Sequence, residues 1–284
     1  MARIVAVANQ KGGVGKTTTT VNVAAALGRL GLRTLVIDID PQGNATQAMG
    51  IRRSGDAVTV YDVLVDGTPA SHAIQPTSDP GVWCLPASVD LAGAEVELVG
   101  LPERESRLAT ALDALFASAQ TEESGEESGE VQPFDVVLID CPPSLGLLTI
   151  NALAAAHELF VPLQAEFYAL DGVGQLVRTV ELVRSALNPD LRISFVALTM
   201  VGDAGPGQQF VVDEARAYFG DNLARTMIPR DPALSAAPSE GKTILSYAPS
   251  SPGAIAYCQL AEELRDMAIV GQKGYNEQIE VGAR

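Results

Sequence analysis

The run Lys11-Gly12-Gly13-Val14-Gly15-Lys16-Thr17-Thr18-Thr19 constrains this chain more than any other feature. It follows the apolar stretch Ile4-Val5-Ala6-Val7-Ala8, which reads as a buried strand. It precedes residues 21–27, Val-Asn-Val-Ala-Ala-Ala-Leu, which read as a helix. Strand, glycine-rich turn, Lys-Thr and helix in that order form a phosphate-binding loop. Backbone N–H groups of the turn and the positive end of the helix point at an anion. Glycines let the backbone approach phosphate oxygens without an intervening Cβ. In this chemistry Lys16 reaches the β- and γ-phosphates and the Thr17 hydroxyl binds Mg²⁺.

The loop departs from the usual pattern in one place. Where a glycine is expected, position 10 is Gln10, and a second lysine, Lys11, opens the loop. Two further segments accompany it, Asp38-Ile39-Asp40-Pro41-Gln42-Gly43-Asn44 and Asp140-Cys141-Pro142-Pro143-Ser144. Near the end of the chain come Ile228-Pro229-Arg230 and Ala237-Pro238-Ser239. In loop, order and spacing the chain resembles the deviant Walker-A ATPases of the ParA/MinD family, and most of all the short ParA/Soj-type partition ATPases. The resemblance spans nearly the whole sequence.

That resemblance implies a set of roles. ATP and Mg²⁺ are the expected cofactors. Lys11, Gly12, Gly13, Val14, Gly15, Lys16, Thr17 and Thr18 would cradle the phosphates, with Thr18 at the α-phosphate. Pro229 and Arg230 would frame the adenine. Thr17 and Asp140, the latter through water, would hold the metal. Asp38 is a further candidate near Mg²⁺, or instead a carboxylate that caps a loop amide. Asp40 would orient or activate the attacking water. Lys11 would cross a dimer interface and touch the phosphates of the partner's ATP; a cation supplied in trans is worth roughly 10³–10⁵ in rate. Lys11, Lys16 and Asp40 are therefore the expected catalytic set.

The remaining pattern reads as one large α/β domain over residues 1–270. Strands are expected at 33–38, 82–86, 134–140, 159–162 and 193–199, with a late strand at 223–228. Several are apolar throughout, as parallel strands covered on both faces require. Helical turns are expected at 46–49 and 59–64, and helices at 104–119, 170–187, 208–219 and 253–268. The alternation predicts a doubly wound, mostly parallel sheet with helices on both faces, of P-loop NTPase type. In such sheets ligands bind at the carboxyl ends of the strands, where all three motifs fall. Residues 121–130, Thr-Glu-Glu-Ser-Gly-Glu-Glu-Ser-Gly-Glu, contain no apolar side chain and read as a solvated, mobile acidic loop within about 120–132. Residues 271–284 read as a flexible tail.

Charge bears on the partner. The chain carries −16, and −11 remains without the five glutamates of the acidic stretch. ParA relatives bind DNA non-specifically, through Lys and Arg that neutralise phosphates. Residues 201–250 hold four basic side chains against six acidic ones. Where Soj-like relatives carry an arginine after a Thr-Met, this chain has Val201-Gly202-Asp203, and Ala233 stands at another usually basic position. Arg216, Arg225 and Lys242 remain as candidate DNA contacts on a weakened surface.

The resemblance implies an ATP-bound sandwich homodimer, a scaffold such as nucleoid DNA, and a ParB-like or other cargo adaptor that stimulates hydrolysis. A cytoplasmic, nucleoid-associated protein is expected. The first strand begins at Arg3, which leaves no room in this sequence for a preceding helix-turn-helix. Other readings are a cargo-positioning ATPase with little DNA binding, a MinD-like membrane switch, an iron–sulfur donor like the nitrogenase reductase, and a binding module without hydrolysis. The membrane switch needs a basic amphipathic C-terminal helix, which 271–284 lacks. No apolar run of eighteen residues occurs, so no span or membrane partner is expected. The scattered Cys84, Cys141 and Cys258 read as reduced thiols rather than cluster ligands.

Overall fold

In the computed structural model, residues 2–52, 57–121, 133–166, 171–202 and 206–270 are described. The acidic stretch after residue 121 and the segment 271–284 lie outside them. Seven strands form one sheet: β1 (Arg3–Val7), β2 (Thr34–Asp38), β3 (Gln75–Pro76), β4 (Val82–Leu85), β5 (Val136–Asp140), β6 (Glu158–Gln164) and β7 (Arg192–Thr199). Their order is β3-β4-β2-β5-β1-β6-β7, parallel throughout except for β3 against β4.

Among the described residues seven α-helices lie between the strands, α1 (Lys16–Arg29), α2 (Asn44–Ala48), α3 (Val60–Leu64), α4 (Leu91–Leu98), α5 (Arg107–Thr121), α6 (Leu147–Ala155) and α7 (Asp171–Ala186), and four follow β7, α8 (Pro206–Phe219), α9 (Pro232–Ala236), α10 (Ile244–Tyr247) and α11 (Pro252–Val270). All five residues of β2 and of β5 are buried, because helices cover both faces. Side chains alternate across the sheet, so Ile4 and Ala6 enter the core layer that includes α3 to α8. Val5 and Val7 enter the other, with α1, α2, α10 and α11. The doubly wound, mostly parallel architecture expected from the motif order is the one observed.

The register places the chemistry. Val7 stands beside Asp140 on one side of β5, and Asp38 beside Asp140 on the other. The phosphate loop, Asp38 and Asp140 thus leave three adjacent strands at one edge of the sheet, the carboxyl end.

Three differences from the sequence reading are informative. Residues 223–228 do not form a strand. They meet β7 at a single bridge, Val196 to Leu223, with another just beyond both segments, Val201 to Pro229. The reason lies on α11: the Glu263 carboxylate accepts the Arg225 and Thr226 N–H groups at 2.8 Å each and turns that stretch out of a ladder. The helix expected from 104 begins at Arg107, after a turn in which Glu103 takes a left-handed φ of 51°. Helices α4 and α6 and the short β3 were not anticipated.

Candidate functional site

The loop between β1 and α1 takes its shape from glycines and three anchors. Gly13 and Gly15 have φ of 74° and 88°, a region that favours glycine over any residue with a Cβ. A Cβ built on Gly12 or Gly13 meets no atom within 4 Å, so the concave side of the loop is open. Asn9 accepts the Lys11 N–H at 3.0 Å and donates its amide to the Pro162 carbonyl at 2.8 Å. The Thr199 hydroxyl, at the end of β7, donates to the Val14 carbonyl at 2.8 Å. Helix α1 begins at Lys16, immediately behind the loop.

Lys16 is the one buried lysine or arginine among the described residues. Its ammonium donates to the Lys11 carbonyl at 3.1 Å, curled over the loop as a phosphate-reaching lysine should be. Burial lowers its pKa, and the carboxylates of Asp140 and Asp40 oppose that shift. Thr17 Oγ1 donates to Asp140 Oδ2 at 2.8 Å, and Thr20 Oγ1 donates to Asp140 Oδ1 at 3.0 Å. Thr20 lies three residues beyond Thr17 on the same helix face, a spacing that would have flagged it.

Asp140 is fully buried. Burial pushes its carboxyl well above the ordinary range, and the neighbouring Asp38 adds to the effect. Asp38 is raised by burial too. Its oxygens are taken by loop groups: Asp40 N–H at 3.2 Å, Thr46 N–H at 2.7 Å and the Thr46 hydroxyl at 2.7 Å. Of its two sequence readings, the loop-amide role is the one with contacts. Thr46 in turn accepts the Ala87 N–H at 2.9 Å, tying the β4–α4 connection to the site. Asp40 is 6 % exposed and its Oδ1 accepts the Gln42 N–H at 2.9 Å. Three buried aspartates therefore share one buried ammonium. Such a site fits a divalent cation bound by few protein groups and by phosphate oxygens, with Thr17 and Asp140 as the protein side.

Lys11 does not join this cluster. Its ammonium pairs with Glu166 at 3.1 Å, and the other Glu166 oxygen lies 3.7 Å from Arg230. Glu166, two residues past the end of β6, carries no motif and was not foreseen. The Arg230 N–H donates to the Val201 carbonyl at 3.0 Å, so Pro229 and Arg230 are held against β7 beside the phosphate loop. Thr18 lies on the first turn of α1, partly exposed.

The DNA candidates are separate from the phosphate site. Arg216 and Lys242 are exposed, on α8 and after the turn at 237–240. The Arg225 side chain is 89 % exposed and stands 3.8 Å from Glu263. That hollow of about 570 Å³ is also lined by Glu262 and Asp266. The carboxylates offset the one arginine, so this surface is no more basic than the composition suggested.

A glycine-rich loop at the carboxyl edge of a parallel sheet, with Lys16 over it and Thr17 bonded to Asp140, defines a P-loop nucleotide-binding protein. Residues 2–193 match the model of the AAA domain family. The sporulation initiation inhibitor protein Soj of Bacillus subtilis is 47% identical over 264 residues, 93% of this chain and 98% of that protein. The chromosome partitioning protein ParA of Caulobacter vibrioides is 46% identical over 262 residues, 92% of this chain and 93% of that one. The crystal structure of cobyrinic acid a,c-diamide synthase from Mycobacterium smegmatis with bound ADP and magnesium is 38% identical and superposes with a TM-score of 0.78, over 96% of this chain and 98% of that one. The chain belongs to the AAA-domain family and, within it, to the Soj/ParA chromosome-partitioning ATPases. Among the described residues no helix is long and apolar enough to cross a membrane.

Proposed function

We propose that the chain is an ATP-switched partition ATPase: it binds ATP and Mg²⁺, closes into a sandwich dimer, binds nucleoid DNA without sequence preference, and lets go when an adaptor stimulates hydrolysis. The observation that carries the reading is the convergence of Lys16, Thr17, Asp140 and Asp40 at one strand edge, with Thr17 and Asp140 2.8 Å apart. Lys16 and the loop N–H groups bind the β- and γ-phosphates and offset their charge. Thr17, and Asp140 through water, would hold Mg²⁺, which would supply further positive charge to the γ-phosphate. Asp40, with one oxygen fixed by Gln42, orients a water and takes its proton as the γ-phosphorus–oxygen bond to ADP breaks. Lys11 acts in trans, and it must leave Glu166 to do so.

The Mycobacterium smegmatis neighbour carries the name of a diamide synthase, while the two relatives nearer in sequence carry sporulation and partition names; the reading follows the nearer pair. The acidic surface favours DNA binding that is weak and salt-sensitive, and the cargo adaptor is of the ParB type. The test is DNA binding by Asp40→Ala, which traps the ATP state, with and without ATP–Mg²⁺ at two salt concentrations. ATP-dependent binding that weakens with salt is expected. A dimer that holds no DNA at low salt would move the scaffold role to a protein.

A further inference from the structure

Asp140 is held at two levels. Its backbone is pinned by the neighbouring strands, through the Ile39 N–H to its carbonyl at 3.1 Å and the Cys141 N–H to the Val7 carbonyl at 3.2 Å. Its carboxylate is held by two hydroxyls of α1, Thr17 at Oδ2 and Thr20 at Oδ1. The two threonines stand three residues apart, so both reach the end of β5 from one side of the helix.

The two hydroxyls differ in what else can reach them. Thr17 is half-buried behind the glycine loop, within reach of a ligand. Thr20 is fully buried, one helical turn deeper. Its single hydroxyl proton has two acceptors at 3.0 Å each, the Lys16 carbonyl and Asp140 Oδ1. The carbonyl does not depend on it, because in an α-helix the N–H of residue 20 already serves the carbonyl of residue 16. The carboxylate gains more, since a hydrogen bond to an ionised acceptor is roughly twice as strong as a neutral one.

We propose that Thr20 is a positioning residue for the magnesium site: its hydroxyl fixes Asp140 Oδ1 and so presents Oδ2, beside Thr17, to the cation or to a water on it. The proposal rests on Thr17 and Asp140 as the protein side of that site. Without the Thr20 hydroxyl the carboxylate turns more freely about its Cβ–Cγ bond, and ordering it again costs metal affinity.

Thr19 supplies the comparison. It is as fully buried as Thr20 and lies on the same helix, but its hydroxyl meets the Tyr257 hydroxyl of α11 at 3.2 Å. Removing either hydroxyl takes a buried hydrogen bond away from α1. The Thr20 change reaches the Asp140 carboxylate, and the Thr19 change reaches α11 instead.

The test is a binding titration on the full chain with a fluorescent, non-hydrolysable ATP analogue, first in EDTA and then at rising Mg²⁺. For Thr20→Val, affinity in EDTA should match wild type, because Lys16 and the loop are intact. The Mg²⁺ concentration that gives half of the gain in affinity should rise about tenfold, the low end for losing a group that orients a metal ligand, since Thr17 remains. Thr20→Ser keeps the hydroxyl and should restore the wild-type requirement. Thr19→Val should melt lower than wild type yet keep its Mg²⁺ requirement. Circular dichroism melts check that each variant folds, and Thr20→Ala serves if Thr20→Val does not. An unchanged Mg²⁺ requirement in Thr20→Val overturns the proposal. So does an equal rise in Thr19→Val, which would mark a general disturbance of α1, or a failure of Thr20→Ser to restore it. A wild type whose affinity ignores Mg²⁺ would overturn the magnesium assignment of Thr17 and Asp140 itself, and the proposal with it.

Discussion

At the amino ends of β1, β6 and β7 the buried Glu158 carboxylate meets two N–H donors of Arg3 at 2.9 and 2.7 Å, Arg192 at 3.3 Å and the Ser194 hydroxyl. At the carboxyl ends of the same sheet Asp38, Asp40 and Asp140 share a single buried lysine. Burial pushes the Glu158 carboxyl up, yet Arg3, Ser194 and Arg192 outweigh it and hold it below the ordinary value. Burial pushes Asp38 and Asp140 up, and the hydrogen bonds from Thr46 to Asp38 and from Thr17 and Thr20 to Asp140 oppose it only in part. One end is a closed ion cluster that stabilises the fold. The other disfavours the ionised form of its aspartates until a cation arrives to share their charge, and costs stability to do so.

The contrast can be broken at either end. The largest effect belongs to Asp40→Ala: stimulated ATP turnover should fall by roughly 10²–10⁴ while ATP binding persists, read by phosphate release and nucleotide titration. Equal turnover would place the water-orienting role elsewhere. Next, Glu158→Ala strands the Arg3 guanidinium and should cost about 3–5 kcal/mol in denaturant melts. Nucleotide affinity should stay unchanged.

How much of this was legible in the sequence depends on distance along the chain. The phosphate loop is local, so nine consecutive residues announced it, and Asp38 and Asp140 were legible as acids ending apolar strands. Thr46 and Glu166 carry no local pattern; Thr46 acquires its place when α2 packs it against Asp38, and Glu166 when the stretch after β6 brings it to Lys11. The Glu158 cluster is similar, joining residues at 3, 158, 192 and 194. Helix α6, Leu-Leu-Thr-Ile-Asn-Ala-Leu-Ala-Ala, escaped notice because it is apolar nearly all round and shows no helical stripe. Residues 223–228 look like a strand, and only the distant Glu263 prevents one.

Acid sharpens the comparison further. Because the folded Glu158 carboxyl sits below its ordinary 4.5, its contribution is present above that pH and is lost as pH falls through the folded value. Melting temperature should therefore drop below about pH 4.5, and Glu158→Gln should flatten that part of the profile. The smallest effect concerns the exposed pair of Lys11 and Glu166. Glu166→Gln should change stability by only about 0–1 kcal/mol, while freeing Lys11 should make the ATP-bound dimer form at lower protein concentration in light scattering. Unchanged dimerisation would show that Glu166 does not hold Lys11 back.

The most direct measurement is the melting temperature of wild type and Asp140→Asn, each without and with ATP–Mg²⁺. If the carboxyl end holds its charge for the ligand, the variant melts no lower than wild type alone, and ATP–Mg²⁺ raises the wild type clearly more than the variant. A variant that melts well below wild type without nucleotide, yet gains as much from ATP–Mg²⁺, would mean that Asp140 supports the fold as Glu158 does and that the two ends of the sheet do not differ.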